Sequence, residues 1–181
     1  MTVPTALVAT LSAPLHDVRA SLGAGRFDGT ASALADVSDS LLGVSAAAGR
    51  SWAQAGPSWS GSAADSAGEF GRTTVAAIEA LSQRAGHLGV TAGAAADAVA
   101  RARAELDRII DDFETRAAVL ADDLESPGAM AELVEEARRA LDDAIAVVDG
   151  LTDELDARAA AVAPSPGSAP TDGGGLSLIH I

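Results

Sequence analysis

A chain of 181 residues with 12 arginines, no lysine and 26 acidic side chains carries a formal charge of −14, which argues against nucleic acid or an anionic membrane surface as a partner, because both repel an acidic face. The lack of cysteine excludes disulfides and thiolate metal sites. Hydrophobic residues reach 48% while aromatics stop at 3%; much of that hydrophobic content is alanine, the best helix former and a poor source of buried area, so the composition predicts an all-α chain of long, closely packed helices rather than a thick globule.

Residues 1–29 read as an N-terminal helix and loop. Leu7, Leu11, Leu15, Val18 and Leu22 recur at helical spacing, with Pro14 expected to kink or restart the helix. The opening residues lack a basic segment and a long enough apolar run for a Sec signal peptide. A second helix follows, with Thr30 or Ser32 as its expected cap and Leu34, Val37, Leu41, Ala48 and Trp52 along its apolar face. It should end before the stretch GPSWSG, since Gly56 and Pro57 continue a helix only at a cost.

After Ser62, the expected cap of the next helix, apolar positions run in steps of three and four: Ala63, Ala67, Phe70, Thr74, Ile78, Leu81, Ala85, Leu88, and on through Val99, Leu106, Phe113 and Leu124. This near-heptad seam predicts one very long helix, with a bend expected at Gly86, Gly89 and Gly93. SPG at 126–128 is a stop and turn. A last helix over 129–163 should fold back antiparallel, with Met130, Leu133, Ala137, Leu141, Ile145, Val148, Leu151, Leu155 and Val162 inward. No segment is long and apolar enough for a membrane span.

Residues 164–175, PSPGSAPTDGGG, have the composition of a disordered linker. The six that follow, LSLIHI at 176–181, match the in-frame translation of a transposon-end adapter used in sequencing libraries. They read as a non-native tail, so the natural chain is expected to continue past the linker, and His180 is set aside.

No catalytic constellation emerges. His16 and His87 lack the i+3 or i+4 partners of a zinc site. Acidic doublets such as Asp111-Asp112 and Asp142-Asp143 point about 100° apart on a helix and read as solvated faces. The mixed charges near Arg101 and Arg116 suggest i,i+4 pairs such as Asp112 with Arg116. The residues predict no enzyme, no metal and no cofactor.

Trp59-Ser60-Gly61, set between two alanine-rich helices in a hairpin over 30–125 with an extended second helix, resembles, over about residues 30–100, the WxG superfamily of helical-hairpin proteins exported by type VII (ESX) systems of actinobacteria and firmicutes. The arginine-only basic set, typical of GC-rich coding, agrees with such a source. On this resemblance the fold is an elongated bundle of antiparallel helical hairpins with a WxG turn. Gly61 supplies the sharp reversal, Trp59 plugs the end of the interhelical groove, and Ser58 or Ser62 caps the next helix. A ligand-stacking role for Trp59 is the less favoured reading. Trp52, Leu41, Phe70 and Ile78 are the candidate partner-interface residues.

The resemblance implies a non-enzymatic protein–protein interaction module, the N-terminal targeting domain of a type VII substrate. Its partners would be another WxG-type hairpin, as homo- or heterodimer, and the type VII secretion ATPase; its destination would be outside the cell or the envelope by a Sec-independent route. The alternative is a coiled-coil scaffold, cytoplasmic or envelope-associated, unrelated to secretion. The Tyr-x-x-x-Asp or -Glu signal of many family substrates is not in this sequence, which has no tyrosine. The frames starting at Phe70 and Phe113 end in Thr74 and Ala117.

Overall fold

The computed structural model describes residues 3–23, 28–122, 126 and 128–163. The linker, the terminal six residues and Leu124 lie outside them. The described residues form four α-helices and no strand: α1 (Val3–Ser21), α2 (Asp28–Ala55), α3 (Ser62–Asp122) and α4 (Ala129–Val162), with a single 3₁₀ turn (Gly56–Ser58) between α2 and α3. The chain is all-α.

α3 is the spine. Its 61 residues span about 90 Å at the α-helical rise. α2 lies along its first half, where Ser38 faces Ser82 and Ser45 faces Glu79, so one residue number rises as the other falls and the two helices run in opposite directions. α1 and α4 both lie along the second half. His16 meets Glu114, Arg19 meets Asp107, Arg116 meets Glu136 and Arg101 meets Glu154, again in reversed order.

The three-helix end holds the main core. Leu15 of α1, Leu106, Ile110, Phe113 and Ala117 of α3, and Leu133, Ala140 and Ala144 of α4 form one buried cluster, continued by Ala98, Val99, Ala102 and Leu151. Leu7, Leu11, Val18 and Leu22 pack against these clusters, so the α1 stripe read from the sequence is its inward face. Burial there removes large aliphatic side chains from water, each contributing about 1.5–3 kcal/mol.

Several local expectations change. α2 begins at Asp28, which places Thr30 and Ser32 inside its first turns, where the Ser32 hydroxyl donates to the Gly29 carbonyl. α1 runs unbroken past Pro14. α3 is also continuous through Gly86, Gly89 and Gly93. Two of these glycines serve close approach: a Cβ at Gly89 would come within 3.3 Å of the Ala31 carbonyl oxygen and Leu34, and one at Gly86 within 3.2 Å of the Ser38 hydroxyl. Along the first half of α3 the buried positions are Gly71, Ser82, Ala85 and Gly89, whereas Phe70 and Leu81 point outward. The seam there is rotated because small residues let the backbones approach. In α4, Met130 and Ile145 are likewise exposed, and Ala140 and Ala144 take the inward places.

Among the described residues, Arg19, Arg101 and Arg116 tie helix to helix, whereas Arg72, Arg108, Arg139 and Arg158 pair within their own helices. Arg116 pairs with Glu136 of α4, which also holds Arg139, rather than with Asp112. Arg108 with Glu105 is a pair within α3.

Candidate interaction surface

The reversal between α2 and α3 is built residue by residue. Gly56-Pro57-Ser58 tightens the end of α2 into a 3₁₀ turn, and the Trp59 N–H closes it by donating to the Gly56 carbonyl at 3.2 Å. Trp59 is extended (φ −133°, ψ 133°). Gly61 has φ +103°, a region L side chains rarely adopt, and its carbonyl accepts the Asp65 N–H at 3.0 Å to open α3. The Ser58 hydroxyl donates backward to the Ala55 carbonyl at 2.8 Å, not forward to the next helix. It relieves the last carbonyls of α2, which lack intrahelical donors.

Trp59 is not a buried plug. It is 51% exposed, because the extended backbone carries it outside the line of contact between the helices. Trp52 fills that layer instead: its indole lies against Gly71, where the missing side chain leaves room. Both indoles, with Gly49, Gly56, Gly68 and Gly71, border an open hollow of about 550 Å³, and Asp65, Arg72 and Glu79 line it too.

Of the other interface candidates, Phe70 is 71% exposed, and Leu41 and Ile78 are half-buried. Val37 and Leu81, which the spacing assigns to the inward stripes of α2 and α3, are exposed as well, as is Val44. At about 100° per residue, Val37 and Val44 lie roughly a quarter turn from the α2 contact line marked by Ser38 and Ser45. Phe70 and Leu81 lie about as far from the α3 line marked by Gly71 and Ser82. With the helices antiparallel, both offsets fall on the same side, giving the α2–α3 pair one broad apolar flank.

A second open groove of about 580 Å³ lies between α1 and the end of α3, bordered by Val8, Ser12, His16, Glu114 and Ala121. Its ionisable pair is His16 Nε2 with Glu114, 3.0 Å apart and solvent-exposed. Elsewhere, the hydrogen bond from Arg19, reinforced by its charge, holds the Asp107 carboxyl below the usual carboxylate range and raises the Arg19 guanidinium. Among the described residues no three His, Asp or Glu side chains converge to hold a metal ion, and no helix is long and apolar enough to cross a membrane. No family model, curated protein or solved structure matches this chain.

Proposed function

We propose that the chain is a non-enzymatic helical interaction module of the WxG type, whose α2–α3 pair binds a partner helical hairpin and presents the protein to a type VII export system. The observation that carries this reading is the uncovered apolar flank of that pair. Val37, Val44, Phe70 and Leu81 remain about half or more exposed, and exposed patches of large apolar side chains mark sites of association. The Trp59-Ser60-Gly61 reversal supports the family reading, with Trp59 displayed to a partner or to the export ATPase rather than spent on the chain's own core. The cluster of α1, α3 and α4 would serve as a rigid handle.

Co-expression with any small WxG protein found encoded beside it, followed by size-exclusion chromatography, tests the proposal. A stable helical hetero-complex is expected, lost on Phe70→Asp with Leu81→Asp. A monomer, with the protein retained in the cytoplasm of its native host, would instead favour a scaffold unrelated to secretion.

A further inference from the structure

We propose that the hollow between Trp52 and Trp59 receives the guanidinium of an arginine side chain presented by a partner polypeptide. These are the only tryptophans of the chain, and both border the same hollow. Gly49 and Gly56 leave open space at its edge, while the missing side chain at Gly71 lets the Trp52 indole settle into the wall. An indole face attracts cations, and a planar guanidinium both stacks on it and lays its aliphatic stem along apolar surface.

Charge selects among possible occupants. Asp65 and Glu79 stand on the rim, and the Ser45 hydroxyl donates to Glu79 Oε1 at 3.0 Å, fixing that carboxylate in place. Among the described residues the cation of the lining is Arg72, whose guanidinium lies beside Gly68 and pairs with Glu69 at 2.7 Å, so its charge is answered. An anion would also meet a chain of net charge −14. Asp65 sits in the first turn of α3, where a carboxylate also balances the helix dipole; Glu79, several turns along, has no such role and points to a cationic ligand more directly.

The inference concerns a site away from the apolar flank, and its failure would leave the hairpin partnership standing, because the two are read by different experiments. Proton–nitrogen correlation NMR resolves the two indole N–H signals during titration with N-acetylarginine amide. N-acetylcitrulline amide, nearly the same shape without the charge, and glucose serve as comparison ligands. Saturable movement of both indole signals is expected with the arginine compound, weakened at least about threefold in Glu79→Gln, the scale of an exposed cation contact. Asp65→Asn gives a second variant should the first fail to fold. Equal movement with citrulline or glucose, or an unchanged response in a folded variant, overturns the proposal.

Discussion

The indole of Trp52 lies so close over Gly71 that a Cβ at position 71 would stand 2.5 Å from its Nε1 and 2.8 Å from its Cδ2. No real Cβ tolerates that separation, so Gly71→Ala must displace the ring. The alanine gains about 1 kcal/mol of helix propensity, against about 1–3 kcal/mol for overpacking. The net expectation is a modest loss of stability with a red-shifted Trp52 emission, read in a Trp59→Phe background. Gly150→Ala is the contrasting case: it lies within α4 with nothing within 4 Å of its would-be Cβ, and should raise stability by about 0.5–1 kcal/mol.

Trp59→Ala separates display from burial. A buried plug would cost about 3–5 kcal/mol on truncation; an indole half exposed in the folded chain should cost less than about 1 kcal/mol. The melting temperature of the isolated protein should therefore barely move. A large drop in melting temperature would return Trp59 to the core.

Helix type and number were readable because alanine content, Pro and Gly breaks and three-to-four spacing all agree over long segments. Rotation of the faces was harder. The three-to-four spacing puts Phe70 and Leu81 on the inward stripe, but the contact between α2 and α3 is set by Gly71, Ser82 and Gly89, whose smallness permits the approach. Hydropathy does not register that advantage. The joining of α1 and α4 on one stretch of α3 was also hidden, since Arg19 and Asp107 are 88 residues apart.

Acid should loosen α1. Arg19 donates to Asp107 and holds its carboxyl below the ordinary range. A carboxyl lowered in the folded state adds stability that is present above its unfolded value, about 4, and lost as pH falls through the folded value. Both side chains are partly exposed, so added salt should shrink the effect. The melting-temperature gap between the parent chain and Asp107→Asn is expected at pH 7 and should close below about pH 4. A gap of equal size at both ends would assign it to packing.

Ser38 and Ser82 bind each other across the α2–α3 contact in both directions: the Ser38 hydroxyl donates to the Ser82 carbonyl at 3.0 Å, and the Ser82 hydroxyl to the Ser38 carbonyl at 2.9 Å. Ser82 is 1% exposed, so its hydroxyl is removed from water and depends on that bond. Ser82→Ala deletes the donor while keeping a small side chain, and should cost about 1 kcal/mol. Ser82→Leu is more apolar, and hydropathy alone would call it favourable; here it inserts several carbons where the helices are closest, and should cost about 1–3 kcal/mol. Denaturant melts of the two variants distinguish the accounts. If leucine stabilises, the contact is a loose apolar seam; if it costs more than alanine does, close approach through small residues sets the geometry of the pair and turns Phe70 and Leu81 outward.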